Sequence, residues 1–177
     1  MQKRAYRLGV LCLCLLLFAF LAPQQAYAQK IGKGATSDQV FEILASEIAL
    51  QRGEAGLAYQ TYLGLARQTG QADLAQRAME IAIAANSPDL ALVAAQTWDE
   101  LSSPSQTKPK EVLVTLLMLN QRWSESVKPA VALLNQQSLS EREKTLKQWQ
   151  SLIGRAVDES SAMLAYYRII SVLEPPP

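Results

Sequence analysis

A small side chain returns at a nearly fixed interval along this chain. Ala58, Ala91, Ser126 and Ala162 are spaced 33, 35 and 36 residues apart. Each comes just after a turn-like stretch: Arg52-Gly53-Glu54, Asn86-Ser87, Gln121-Arg122-Trp123 and Asp158-Glu159. A large apolar residue follows within two helical turns, at Tyr62, Trp98, Leu133 and Tyr166. Where two helices cross closely only Ala, Gly or Ser fits, and the bulkier residue fills the gap toward the next pair. A period in the thirties made of two helices predicts an all-α, helical-hairpin solenoid of about four hairpins. A compact up-down bundle uses the same small-then-aromatic spacing and stays open beside it, as does a sheet-containing fold.

The apolar residues support eight helices, and strand signals are almost missing. The first helix is expected over Ser37–Gln51, opened by a Thr36-x-x-Gln39 capping box, with Val40, Ile43, Leu44 and Ile48 inward. The second, about Glu54–Gln68, turns Leu57, Ala58, Tyr62, Leu65 and Ala66 inward and stops at Gly70. Ala72–Ala85 forms the third around Leu74, Ala75, Ala78, Met79 and Ala82. Ser87 as cap and Pro88 in the first turn begin the fourth, which buries Ala91, Ala94, Ala95, Trp98 and Leu101.

After the loop Ser102–Lys110, the apolar run Val112–Leu119 reads as a helix sandwiched between neighbours. The sixth starts near Ser124 or Ser126; the second start puts Pro129 in the first turn, and the first predicts a kink. A Ser140-x-x-Glu143 capping box opens the seventh, which buries Leu146, Trp149, Leu152 and Ile153. The last runs from about Ser160 to Leu173. Core packing is expected for Trp98, Trp123 and Trp149.

At the N-terminus, Lys3, Arg4 and Arg7 precede an apolar run, Leu8–Ala22, and then Pro23 and Ala26-Tyr27-Ala28. Basic start, short apolar core and A-x-A predict a Sec-type signal peptide over 1–28, cut after Ala28. The run is short of the ~20 residues a spanning helix needs, so no integral span is expected in the mature chain. Residues 29–36 read as a flexible leader, 37–174 as the repeat domain and 175–177 as a proline-rich tail.

Cys12 and Cys14 fall inside the segment to be removed, leaving no thiol for the mature chain. The signal also takes three of the 17 basic residues and none of the 16 acidic ones. A net charge of −2 remains, which gives no argument for nucleic acid. With His absent, the commonest general base and metal ligand are missing. No cofactor, no metal and no catalytic residue is expected. The Glu-Ser pairs at 125–126 and 159–160 lack the rest of a lytic-enzyme motif, and a Glu at a helix start is ordinary capping.

The spacing resembles the tetratricopeptide repeat (TPR) family over about Ser37–Glu174. Ala58 and Tyr62 look like its second-helix alanine and aromatic, Gly53 like its intra-hairpin turn, and Pro104 and Pro175 like its closing proline. The chain departs from the family in the first helix, where Ala45-Ser46 and Ala49 replace its leucine-glycine pair and tyrosine, and the tryptophan is absent. The stretch from Glu47 to Ala82 is similar to the start of longer periplasmic TPR-like proteins of Gram-negative bacteria.

That resemblance implies a periplasmic, or secreted, non-catalytic scaffold or assembly factor that binds a protein or peptide segment of the envelope. The alternative is a compact bundle acting by self-association or small-ligand binding. By the family's periodicity the partner groove would be lined by Glu47, Gln51, Asp73, Gln76, Arg77 and Glu80, and then by Lys144, Lys147, Gln148, Ser151 and Arg155. The family's Lys/Asn/Arg carboxylate clamp is not reproduced. The bland reading of these residues is a solvated face with i,i+4 pairs such as Gln76–Glu80 and Glu143–Lys147. On the last helix, Tyr166 and Tyr167, with Met163 and Ile170, would stay uncovered unless a partner or a second copy docks there.

Overall fold

A computed structural model describes residues 36–173. The expected signal peptide (1–28), most of the leader and the tail from 174 lie outside them. The described chain is all-helical, with eight helices and no strand. These are α1 (Ser37–Gln51), α2 (Ala55–Thr69), α3 (Ala72–Ala84), α4 (Pro88–Leu101), α5 (Lys108–Leu119), α6 (Trp123–Gln136), α7 (Leu139–Ile153) and α8 (Glu159–Val172). No helix among the described residues is long and apolar enough to cross a membrane.

Two compact units divide the chain at Leu44–Ala45, within α1. In the first, the expected capping box is formed: Thr36 N–H donates to Gln39 Oε1 at 3.0 Å, and Gln39 N–H to Thr36 Oγ1 at 3.3 Å. The expected stripe is not. Val40 and Leu44 are exposed and only Ile43 is buried there; in the second unit Ile48 is exposed while Ser46 and Ala49 are buried. The buried positions of α1, Ile43, Ser46 and Ala49, fall three residues apart on one side of the helix, and Val40, Leu44 and Ile48 lie off that line. Leu57 on α2 is likewise exposed, and Tyr59 and Leu63 are buried instead.

The second unit is a succession of hairpins, with α2 on α3, α3 on α4, α4 on α5 and α5 on α6. This order is consistent with a helical-hairpin solenoid. Three hairpins share one turn. Glu54 N–H reaches Ala49 O, Ser87 N–H reaches Ala82 O, and Arg122 N–H reaches Leu117 O. In each the preceding residue has positive φ: Gly53 at 81°, Asn86 at 51° and Gln121 at 60°. That is the Schellman closure, in which a left-handed residue lets two amides satisfy the helix's last carbonyls. The fourth hairpin has no such residue, and Ala156 N–H bonds Ile153 O instead.

The four small residues are sealed in the core, at 0–1% exposure, as are Trp98, Trp123 and Trp149 within 7%. The last hairpin departs from the order of the others. α8 packs directly on α6, while α7 joins the same core through Trp149 and Ile153.

Three helix starts differ in detail from expectation. Ser87 and Pro88 stand where expected, but the Ser87 hydroxyl caps no amide of α4. α6 begins at Trp123, so Pro129 lies inside it and removes the bond to the Glu125 carbonyl. The box of α7 is Ser138 with Glu141, one pair earlier than Ser140 with Glu143. Glu141 Oε2 accepts from both the amide and the hydroxyl of Ser138, at 2.9 and 2.7 Å, which holds its carboxyl below the usual range.

Candidate functional site

The first-helix residues singled out by periodicity fall into two groups. Glu47, Gln76, Arg77 and Glu80 form one network with Tyr62. The guanidinium of Arg77 meets Glu47 Oε1 and Oε2 at 3.0 and 3.1 Å, and Arg77 Nη1 stands 3.6 Å from Glu80. Gln76 donates to Glu80 at 3.0 Å and the Tyr62 hydroxyl donates to Glu47 at 2.6 Å.

Burial first, and then the Glu47 carboxylate, push the Tyr62 phenol far above its ordinary value. Burial works against the charge of Arg77, but Glu47 and Tyr62 outweigh it and hold its proton more firmly than usual. Arg77 and Glu80 also edge a recess of about 280 Å³ with Leu50, Ala55 and Ile81. Chemically this is a locked ionic strut beside a shallow apolar hollow. Gln51 and Asp73 are exposed.

On α7, Lys144, Lys147, Gln148 and Ser151 are exposed, as is Arg155 just beyond its end. Lys147 pairs with Glu143 at 2.6 Å, and the Ser151 hydroxyl donates to the Gln148 carbonyl at 2.7 Å. The α7 side of the fourth hairpin therefore offers a polar, largely basic surface. Tyr166 is half-buried and its hydroxyl accepts from Gln150 at 2.9 Å; Tyr167 is 70% exposed.

Sequence reasoning missed a second recess, of about 340 Å³, between the start of α6 and α8. Gln121, Trp123, Ser124, Leu164 and Arg168 line it. Gln121 Oε1 accepts from Trp123 Nε1 and from the Val157 amide, at 3.2 and 3.1 Å, tying the third turn to the fourth. Two charges on its walls are matched: Arg122 forks onto Glu125 at 2.7 Å, and Asp158 caps α8 by accepting from Ser161. The hydroxyl of Ser161, and next its amide, hold the Asp158 carboxyl below its ordinary range. The one available signal was an arginine one turn after Leu164, among the residues AYYRII.

Glu125 and Glu159, the acidic halves of the Glu-Ser pairs, stand in the first turns of α6 and α8. The Ser126 hydroxyl is buried and donates to the Trp123 carbonyl at 2.7 Å. Among the described residues no three His, Cys, Asp or Glu side chains gather where they would hold a metal ion. Comparison of the chain with protein-family models and with curated proteins yields no match.

Proposed function

We propose that this chain is a TPR-like, non-catalytic interaction scaffold or assembly factor of the cell envelope, delivered to the periplasm by a signal peptide cut after Ala28. The observation that carries the reading is the thrice-repeated turn at Gly53, Asn86 and Gln121, in step with the buried small residues. Hairpins repeated in this way present their first helices side by side, and such rows bind extended or helical segments. The partner is a protein segment of mixed charge. Its groove contacts are Gln51 and Asp73 toward one end, and Lys144, Lys147, Gln148, Ser151 and Arg155 toward the other. Glu47, Gln76, Arg77 and Glu80 hold the wall at the first of these ends.

A photo-crosslinking amino acid at Asp73, Gln148 or Ser151, in cells with an intact envelope, is expected to trap one discrete partner. The same probe at Gln60 or Gln96, on second helices, is expected to trap none. Equal trapping from both sets would count against the groove. Mass analysis of the mature protein is expected to find Gln29 as its first residue.

One observation favours the alternative of a bundle that self-associates: α8 lies directly on α6 and leaves its outer apolar face uncovered.

A further inference from the structure

Met163 stands bare at a position that the first two hairpins cover, and Tyr167 at one that the first hairpin covers. Aligned on the small residues, Met163 corresponds to Tyr59 and Leu92, and Tyr167 to Leu63. Those three are buried, while Gln96, the counterpart of Tyr167 in the second hairpin, is exposed; Met163 itself is 53% exposed. In the first hairpin the cover is the next one: the Tyr59 hydroxyl donates to Leu90 O at the start of α4. At Met163 the outer face of α8 thus repeats a surface that a following helix closes, and beyond it the face is apolar in its own right. It runs from Met163 and Leu164 through Tyr167 to Ile170, opposite the buried Ala162, Ala165 and Ile169.

Its chemistry specifies more than apolar cover. Arg168, one turn after Leu164, lines the recess beside α6. Its side chain is exposed and has no ion pair or hydrogen bond among the described residues. Glu125 and Asp158 line the same recess, but Glu125 is forked by Arg122 and Asp158 is turned onto the Ser161 amide and hydroxyl at the positive end of α8. A purely apolar helix laid over this face would strip water from Arg168 without replacing it, which is unfavourable; a carboxylate at that point reverses the sign. A second α8 does not supply one, because its single acidic residue, Glu159, lies at the other end and on the opposite flank of the face.

We infer that α8 is the docking face for an acidic amphipathic helix of another protein. The helix lays its apolar stripe over Met163, Leu164, Tyr167 and Ile170 and sets a carboxylate in the recess against Arg168. This rests on the interaction-protein reading and names a second contact surface for it.

The test uses the purified protein and three labelled helical peptides with identical leucine stripes and Glu, Gln or Lys at one central flanking position. Fluorescence anisotropy is expected to show saturable binding of the Glu peptide, five- to tenfold weaker binding of the Gln peptide, and none of the Lys peptide. Arg168→Glu is expected to reverse that order. Tyr167→Asp is expected to abolish binding with the circular dichroism spectrum and melting temperature unchanged.

Indifference to the peptide's charge, no saturation by the Glu peptide, or an order unmoved by Arg168→Glu would overturn the inference. So would sedimentation showing a dimer that Tyr167→Asp dissociates, which assigns the face to a second copy. Crosslinks from Gln148 or Ser151 without peptide binding sink this inference alone. Peptide binding with a silent groove sinks the groove alone.

Discussion

Arg77 on α3 grips both oxygens of Glu47 on α1, and Tyr62 on α2 donates to the same carboxylate. Three helices meet on one charge. The side chains of the pair keep 22% and 33% exposure, so solvent screens part of the attraction. What makes the site costly to disturb is that Glu47 serves two donors, so its loss takes an acceptor from Arg77 and from Tyr62 at once. Glu47→Ala is expected to cost about 1–3 kcal/mol, and Arg77→Lys somewhat less, since an ammonium cannot fork onto two oxygens. A double-mutant cycle in urea reads the coupling; a value near zero would show that the contact is incidental.

The same cluster predicts a response to alkali. Tyr62 holds its proton well above the ordinary tyrosine range in the folded chain. A raised folded value means the contribution is whole below about pH 10 and is lost as pH rises through the folded value. The wild type is therefore expected to lose more stability between pH 10 and 12 than Tyr62→Phe does. Tyr59, also raised by burial, acts equally in both proteins. Urea midpoints across that range check the difference, and parallel curves would refute it.

Asn86 and Gln121 occupy the same left-handed place, where glycine is unstrained. Asn86→Gly is expected to be neutral or to stabilise by up to about 1 kcal/mol. Gln121→Gly gains the same relief but loses the acceptor shared by Trp123 and Val157. It is expected to be less favourable than Asn86→Gly by about 1 kcal/mol or more. Denaturant unfolding of the two variants side by side decides it.

Enlarging a small residue tests the hairpin crossings. Ala91 is 1% exposed, and Ala91→Leu is expected to cost about 1–3 kcal/mol through overpacking. Gln96→Leu, on the exposed side of the same helix, should cost almost nothing. If the two variants melted alike, α4 would not approach its neighbours closely at Ala91.

Much of the fold was legible because helix boundaries are written in short-range chemistry. Thr36 and Gln39 marked the start of α1, and Gly53 and Gly70 marked both ends of α2. Burial was less legible. Hydropathy favours Val40, Leu44 and Ile48 over Ser46, but the line of buried residues on α1 runs through Ile43, Ser46 and Ala49 and leaves those three outside. Two overlapping boxes, Ser138 with Glu141 and Ser140 with Glu143, fit α7 equally well in one dimension. The earlier one forms, and Glu143 is left to pair with Lys147. The recess at Arg168 had no local signature, since its walls come from the Gln121 turn and from α8.

The stretch 102–107 between α4 and α5 carries its serines, Pro104 and Gln106 mostly in solvent. On either side of it, Asp99 and Lys110 are joined at 2.7 Å, with both side chains largely buried. A protease that opens this stretch cuts the thread without separating what the thread connects, because the charge pair and the α4–α5 contact span the nick. Foreign sequence spliced in at the same point would be carried as a passenger, with the helices on both sides still in register.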